Sequence, residues 1–311
     1  MKTIIADKVN EYIVTENDDN QRLDNLLIKL LKHVPKSHIY QIIRSGQVRV
    51  NKKRSKPESK LIINDIVRIP PLNNIAVEYS NNYIPEENFA TLYEDEYYLI
   101  INKPAKVACH GGSGINYGVI EQMRKTRSNL KFLELAHRLD KDTSGILILA
   151  KKRLSLIKIQ ELIRNRVLKK NYLALVVGII KDNKRNIKLP LYKYITKNGE
   201  KRVKVDSIKG QVAETVITLV QKINKFSLVR ANIKTGRTHQ IRVHLQAIGY
   251  PIVMDDKYGN DLVNKELQLL GLKRMFLHAS EIEFIHPFTN KLINIKCDLS
   301  NELKMFMTKL H

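Results

Sequence analysis

The segment from Ala136 to Ala150, AHRLDKDTSGILILA, places two aspartates among basic residues directly before an apolar run. Asp142 is followed by Thr, Ser and Gly, and an aspartate in that context usually closes a turn by accepting backbone N–H groups. Asp140 lies between Arg138 and Lys141, where a carboxylate is expected to stay ionised at neutral pH. That state suits a nucleophile better than a general acid. From these residues alone, a simple ion pair with Arg138 explains Asp140 equally well.

A second polar cluster follows a predicted strand, Phe226 to Ile233. The spacing predicts a helix from about Thr238 to Ile248. His239 and Arg242 are three residues apart, so they share one face near the positively polarised N-terminus of that helix. Such a face favours an anion, either a backbone phosphate or a protein carboxylate.

Tyr172 lies in the apolar run KKNYLALVVG, which is typical of a strand. Its commonest use is as a core or edge side chain. The functional alternative is an aromatic ring that stacks on a nucleobase.

A glycine-rich loop, HGGSG at 110–114, follows the predicted strand that delivers Asn102, Lys103 and Pro104. It lacks the spacing of the known nucleotide-binding loops, so no nucleotide cofactor is expected. It either covers a substrate cleft or is an ordinary surface loop.

No metal is expected either. His137, His239 and His244 lack the close spacing of metal ligands, and two cysteines, Cys109 and Cys297, are too few for a zinc cluster or a disulfide framework.

Charge is the strongest feature of the composition, because 54 Lys and Arg face 31 Asp and Glu, for a net charge of +23. A polyanionic partner explains this excess; RNA, DNA and an anionic membrane all qualify, and nucleic acid is favoured. No apolar run is long enough to span a bilayer and the first residues do not resemble a signal peptide, so a soluble cytoplasmic protein is expected.

The basic residues concentrate near the N-terminus, with ten Lys or Arg and one acid between Lys29 and Lys60. Apolar spacing predicts a helix around Leu23 to Leu31, a second helix from Ser37 to Ser45, a short strand leading into a turn at Asn51, and a strand from Ile66 to Ile69. The basic run 52–56 is either a solvated face or a nucleic-acid surface, and the shared sign of the neighbouring elements favours the latter.

From residue 89 onward, many short β-rich runs surround one long helical stretch, Ser155 to Val167. This pattern predicts an α+β domain with an antiparallel or mixed sheet. A polar segment that contains proline separates it from the N-terminal module and reads as a linker. The predicted organisation is an N-terminal extension at 1–19, a small α/β module at 20–75, a linker at 76–88 and a large domain at 89–311.

The first module resembles the S4-type RNA-binding module in its pattern RLD…L followed by KS…I..G.V.VN. The segments HRLDKDTSGILILAKK, NYLALVVG, KTGRTHQIRVHLQAIGYPI and RMFLHASEIEFIHP, in this order, resemble the catalytic domain of the RluA-type pseudouridine synthases. That resemblance implies that Asp140 is the nucleophile, that Arg242 pairs with it, and that Tyr172 stacks on the target base and transfers a proton. It also implies that Arg138 helps to hold open the surroundings of an extruded nucleotide.

The family resemblance further implies isomerisation of uridines in 23S ribosomal RNA, with that RNA or a large-subunit assembly intermediate as partner and with no cofactor or metal. A monomer is expected because RNA supplies the large partner surface. Two alternatives stay open: a non-catalytic ribosome-binding or assembly factor, and the same chemistry on tRNA. The candidate RNA-binding residues are Lys36, Arg44, Lys52, Lys53 and Arg54 in the first module and Lys103, His137, Arg237 and His239 in the second.

Overall fold

The computed structural model describes residues 8–31, 34–72, 84–112 and 115–310. The chain divides into two compact units at residues 83 and 84, and the short segment Lys152–Leu154 groups with the first unit. This division falls inside the predicted linker. Most of that linker, and the last two residues of the HGGSG loop, lie outside the described residues.

The first unit packs two helices on a four-stranded sheet with strand order β1, β4, β2, β3. Its elements are β1 (Asn10–Ile13), α1 (Leu23–Leu30), α2 (Lys36–Arg44), β2 (Arg49–Val50), β3 (Lys53–Arg54) and β4 (Ile66–Ile69). Asn51 and Lys52 join β2 to β3, both with positive φ, as a two-residue hairpin turn requires. Apolar faces of both helices, including Leu26, Leu27 and Ile39, are fully buried in its core.

One limit predicted for this unit is wrong. Strand β1 lies within the supposed N-terminal extension, yet it pairs antiparallel with β4 from Asn10 opposite Ile69 to Ile13 opposite Ile66. The alternating sequence NEYI provides an edge strand because one of its faces packs on the unit. The sheet therefore begins at residue 10.

The second unit is an α+β domain built on a ten-stranded mixed sheet, which confirms the predicted fold class. Along its main path the strand order is β10, β13, β14, β9, β15, β8, β6, β5, with β16 beside β15 and β7 beside β8. Its elements are β5 (Thr91–Glu94), β6 (Tyr98–Lys103), α3 (Val119–Thr126), β7 (Glu134–Leu135), β8 (Ser144–Ala150), α4 (Arg153–Arg164), β9 (Lys169–Val177), β10 (Lys184–Lys188), β11 (Leu191–Ile195), β12 (Lys201–Val205), β13 (Glu214–Ile223), β14 (Phe226–Ile233), α5 (Gln240–Ala247), α6 (Asp261–Leu269), β15 (Leu277–Ile285), β16 (Leu292–Lys296) and α7 (Asn301–Thr308). Strands β11 and β12 form a separate hairpin.

Strand β8 is buried along its whole length, so both faces of the sheet are covered there. It pairs in parallel with β15, placing Ser144 opposite His278 and Gly145 opposite Ala279. Gly145 has φ +106°, and a Cβ at this position would lie 2.2 Å from the carbonyl oxygen of Ala279. Only glycine permits this close approach, which fixes the start of β8.

Two predicted helices are shorter than the apolar spacing indicated. Helix α4 ends at Arg164 rather than Val167 because Arg166 adopts a left-handed conformation, and Val167 is exposed. Helix α5 starts at Gln240 because His239, its N-cap, is also left-handed. Within the described residues, no helix combines the length and apolar character that crossing a bilayer requires.

Candidate active site

The turn that carries Asp140 directly precedes β8. Thr143 N donates a hydrogen bond to the Asp140 carbonyl oxygen at 3.1 Å, which closes the turn. The prediction that the Asp142 side chain closes it is therefore wrong. Burial lowers the pKa of Lys103 and of Arg274, and the Asp142 charge opposes both shifts. Asp142 thus compensates buried cations, while the Asp140 side chain remains 29% exposed.

Lys103 lies beneath this turn, and its predicted role as an RNA contact is wrong. The side chain is fully buried, and its ammonium group donates to the carbonyl oxygens of Pro104 and Val107, both at 2.7 Å, and of Lys141 at 3.1 Å. Burial lowers its pKa to about 8. Because all three donors are used inside the protein, Lys103 braces the residue that follows Asp140 and has none left for a phosphate.

The residue before Asp140 is fixed as well. Leu139 N donates to Cys109 Sγ and the same sulfur donates to Leu139 O, both at 3.2 Å. At the other end of the turn, Ser144 Oγ accepts from Arg274 Nη2 at 2.7 Å and bonds His278 Nδ1 at 2.8 Å. The chain on both sides of Asp140 is therefore held by buried polar side chains, which fixes the position of this carboxylate before any substrate binds.

Arg242 lies in the first turn of α5 and is 3% exposed. Its Nη1 lies 3.5 Å from Asp140 Oδ2, so the structure brings together two residues that are 102 positions apart in the chain. Its Nε and Nη2 donate to the two carboxylate oxygens of Asp255 at 2.7 and 2.6 Å, and Nη2 also reaches Asp256 Oδ1 at 3.0 Å. Asp255 was not found from the sequence, although it is the main anchor of this arginine.

Tyr172 lies on β9 and is 6% exposed. Its ring lines the same cavity as Asp140 and Arg242, which has a volume of about 530 Å³. Burial raises the pKa of the Tyr172 hydroxyl, and the charge of Asp140 raises it further. The phenol is therefore neutral at physiological pH and presents an aromatic wall close to the carboxylate.

Arg138 and Arg237 also line this cavity, and both are exposed. Arg237 Nε donates to Val212 O at 3.2 Å, which orients its guanidinium group. Neither side chain forms an ion pair with a carboxylate among the described residues. Both cations are therefore exposed at the mouth of the cavity, where an anion from solution can reach them.

The two histidines predicted to bind RNA line the cavity but have protein partners. His137 Nε2 accepts a hydrogen bond from Ile148 N at 3.3 Å, and burial lowers its pKa to about 3. His137 is therefore neutral in the cavity wall, and its contact with RNA remains a prediction. His239 Nδ1 lies 2.8 Å from the hydroxyl of Tyr258, and burial lowers its pKa too.

All five cations predicted in the first unit are exposed. Lys36 opens α2 and Arg44 closes it, while Lys52, Lys53 and Arg54 lie on the β2–β3 hairpin. Their contact with RNA remains a prediction.

A family model described as RNA pseudouridylate synthase matches residues 97–247, and an S4 domain model matches residues 21–67. Ribosomal large subunit pseudouridine synthase C of Pasteurella multocida (strain Pm70) is 45% identical to this chain, over 99% of it and 95% of the relative. The chain belongs to the RNA pseudouridylate synthase family. The protein of the same name from Escherichia coli (strain K12) is 44% identical over 96% of this chain and 95% of the relative.

One solved structure supports this RNA pseudouridylate synthase assignment, and a second shows the same fold. Human RNA Pseudouridylate Synthase Domain Containing 4 is 26% identical, with a TM-score of 0.58, over 71% of this chain and 92% of that one. Human RNA Pseudouridylate Synthase Domain Containing 1 has the same TM-score at 24% identity, over 70% of this chain and 86% of that one, and shows the shared fold. The resemblance inferred from the sequence motifs is confirmed.

One further cavity residue of this pseudouridylate synthase was missed in the sequence. Lys170 lies two positions before Tyr172 on β9, is 8% exposed and lines the same cavity. The period of two along a strand places it on the Tyr172 face, so the signal was present in the Lys pair of KKNYLALVVG.

Proposed function

We propose that this protein converts specific uridines of 23S ribosomal RNA to pseudouridine, with Asp140 as the nucleophile. The observation that carries the proposal is the convergence of Asp140, Arg242 and Tyr172 on one cavity of about 530 Å³. The relatives named as ribosomal large subunit pseudouridine synthase C, which match nearly the whole chain, support the ribosomal substrate. The S4 domain and the net charge of +23 support an RNA partner.

The substrate uridine must leave the RNA stack before any group reaches its glycosidic bond, which costs a few kcal/mol. Exposed cations offset this cost by binding phosphates. Arg138 and Arg237 are suitably placed at the mouth of the cavity. Tyr172 then offers a buried ring on which the extruded uracil stacks, a contact worth about 1–3 kcal/mol.

Asp140 supplies the carboxylate for the chemical step, by attack on ribose C1′, by attack on uracil C6 or by assisting elimination at the sugar. In each route the N1–C1′ bond breaks, the uracil turns within the cavity, and a C5–C1′ bond forms. The C5 proton is lost and N1 gains one, so product and substrate have the same atoms. The buried guanidinium of Arg242 holds the carboxylate in place through their 3.5 Å contact.

The proposal also includes 23S RNA or a large-subunit assembly intermediate as partner, a cytoplasmic location, and a monomer. The names of the bacterial relatives support the location, since their substrates belong to the ribosome. The proposed domain limits are an S4 domain that includes β1 and ends near residue 75, and a catalytic domain from residue 89.

The test is to express the protein in a bacterial strain that lacks its own large-subunit pseudouridine synthase C and to map pseudouridine in 23S RNA by carbodiimide adducts and primer extension. The wild type is expected to restore discrete modified sites. Asp140→Asn is expected to restore none while binding a 23S fragment with unchanged affinity. Full modification by Asp140→Asn, or none by the wild type, contradicts the proposal.

A matched control separates the open alternatives. Asp142→Asn changes a carboxylate two residues away that does not line the cavity, and it is expected to keep the modified sites. Mapping tRNA from the same cells distinguishes the substrates, since modification confined to tRNA excludes the ribosomal assignment. Binding to 23S RNA without modification by any variant identifies a non-catalytic assembly factor.

A further inference from the structure

Lys170 is a buried cation in the wall of the catalytic cavity. Its side chain extends from β9 and is 92% shielded from solvent, with 8% of its surface exposed. A Cβ on Gly236 would lie 3.9 Å from Lys170 Nζ, so the ammonium group lies beside the loop that leads into α5. The group therefore faces a space built for substrate rather than the protein core.

The Lys170 ammonium group has no partner within the described parts of the chain. None of their oxygen atoms accepts a hydrogen bond from it and none of their carboxylates forms an ion pair with it. Burial alone lowers its pKa, to about 8. Because an unpaired buried charge destabilises a protein, such a group calls for a ligand that supplies the missing acceptor.

The neighbours of Lys170 indicate which part of the substrate supplies the acceptor for its ammonium group. Lys170 and Tyr172 project from the same face of β9, and both line the cavity. The charge of Asp140 raises the pKa of the Tyr172 hydroxyl, whereas no carboxylate shifts the pKa of Lys170. Asp140 is therefore nearer to Tyr172 than to Lys170. A uracil on Tyr172 with its N1 side toward Asp140 directs its opposite edge away from that carboxylate, and the atom opposite N1 in the ring is C4, which bears oxygen O4.

We infer that Lys170 is a catalytic residue whose ammonium group donates a hydrogen bond to O4 of the target uracil. The inference rests on the proposed function and deepens it. A phosphate is the less suitable ligand, since phosphates remain at the surface of RNA and the exposed Arg138 and Arg237 already line the cavity mouth.

The hydrogen bond strengthens as the reaction proceeds. When the N1–C1′ bond breaks, its electron pair leaves with the uracil and spreads onto the carbonyl oxygens. Attack at C6 instead sends the electrons through C5 and C4 to the same O4. In either route the ammonium group faces growing negative charge at O4 and keeps its own protons, so it acts as an electrostatic catalyst.

The direct test compares Lys170→Met with Lys169→Met in single-turnover pseudouridine formation on a 23S fragment. Lys169 is the adjacent residue, largely exposed and paired with Glu283 at 2.6 Å, and does not line the cavity. Lys170→Met is expected to slow the bound reaction about 100-fold with less than twofold change in RNA affinity, as for loss of one preorganised donor. Lys169→Met is expected to react at the wild-type rate.

A substrate with 4-thiouridine at the target position identifies the atom. Sulfur is a weak acceptor, so the thio substrate is expected to slow the wild type about 10-fold and Lys170→Met less than twofold, because partners in one contact are not additive. Equal slowing of both enzymes overturns the assignment to O4.

Thermal unfolding supplies a readout that does not depend on activity. Removing an unpaired buried charge is expected to raise the Tm of Lys170→Met by about 3 °C, whereas loss of a structural residue lowers it. A lower Tm, a full rate on bound RNA, or weaker RNA binding with an unchanged rate overturns the inference. Absence of product with the wild type itself is a failure of the proposed function, and the Tm still reports on the burial argument.

Discussion

Arg242 forms its two shortest hydrogen bonds with Asp255, at 2.7 and 2.6 Å, and approaches Asp140 only to 3.5 Å. The Asp255 side chain is completely buried and also accepts from the backbone N–H groups of Lys257 and Tyr258, at 2.9 and 3.0 Å. A charge-assisted fork therefore fixes the guanidinium group before substrate arrives. The Asp140 carboxylate is left with an oriented cation beside it and with no bidentate pairing that occupies both of its oxygens.

The first prediction concerns Asp255→Asn. The variant leaves Arg242 buried without its main counter-charge, so the guanidinium is expected to shift toward Asp140. We expect urea unfolding to show that the free energy of unfolding falls by roughly 3 kcal/mol, because one partner of a buried ion pair has been removed. The rate on bound RNA is expected to fall at least 10-fold while RNA affinity is unchanged.

Asp256→Asn is the matched control, because Asp256 contacts the same guanidinium at 3.0 Å but is 67% exposed. Asp256→Asn is expected to lower the free energy of unfolding by less than about 1 kcal/mol, because the contact is exposed to solvent. Equal effects of the two variants on stability and rate contradict the anchoring role of Asp255.

The second prediction concerns Lys103→Met. Three carbonyl oxygens, of Pro104, Val107 and Lys141, lose their donor, so we expect a loss of roughly 3 kcal/mol in urea unfolding. Because the turn that carries Asp140 loosens, the rate on bound RNA is expected to fall as well. RNA affinity and its salt dependence are expected to match the wild type, since a fully buried ammonium neutralises no phosphate. If the RNA affinity of Lys103→Met depends less steeply on salt than that of the wild type, Lys103 does contact RNA and the prediction is contradicted.

The error at Lys103 shows where sequence reasoning stops. The motifs around Asp140 and Tyr172 are local, so their strand and turn contexts were readable from the chain. Charge is also visible in a sequence, but burial is not. The acceptors of Lys103 come from two separate segments, 104–107 and 141, which meet only when β6 pairs with β8.

Asp255 and Lys170 were missed for different reasons. Asp255 follows a predicted helix end in a segment with no periodicity, and its role depends on a side chain 13 residues earlier. The period of two in β9 places Lys170 on the same face as Tyr172, so the sequence contains the signal. An aromatic ring that can stack on a base is a more specific feature than one lysine in a strongly basic chain, so the sequence points to Tyr172 alone. The parallel pairing of β8 with β15, which joins Ser144 to His278, follows from no local pattern.

The third prediction concerns acid stability. Ser144 Oγ accepts from Arg274, so it donates to His278 Nδ1, and His278 Nε2–H donates to Cys297 O at 3.1 Å. Burial lowers the pKa of this neutral His278 to about 4, below its usual value of 6.5. The unfolded chain therefore binds more protons between pH 6.5 and 4, and stability falls as the pH is lowered through this window, by roughly 3 kcal/mol.

Urea unfolding of the wild type and of His278→Gln at pH 7.5, 5.5 and 4.5 checks this. The glutamine is expected to cost some stability at pH 7.5, because the fit to Ser144 is lost. The difference in free energy of unfolding between the wild type and His278→Gln is expected to close or reverse toward pH 4.5, since glutamine does not titrate. Parallel pH profiles for the two proteins contradict the assignment of acid lability to His278.

The fourth prediction concerns the exposed cations of the S4 domain hairpin. Reversing Lys52, Lys53 and Arg54 to Glu is expected to weaken binding to a 23S fragment and to lower the slope of log Kd against log salt by about 2, since each phosphate contact contributes about 0.7. The rate on saturating RNA is expected to stay near wild type, because these residues lie outside the catalytic cavity. A control variant reverses three exposed lysines of the catalytic domain, Lys222, Lys265 and Lys273. If it flattens the salt slope equally, the effect is one of net charge, and the hairpin is not the RNA-binding surface.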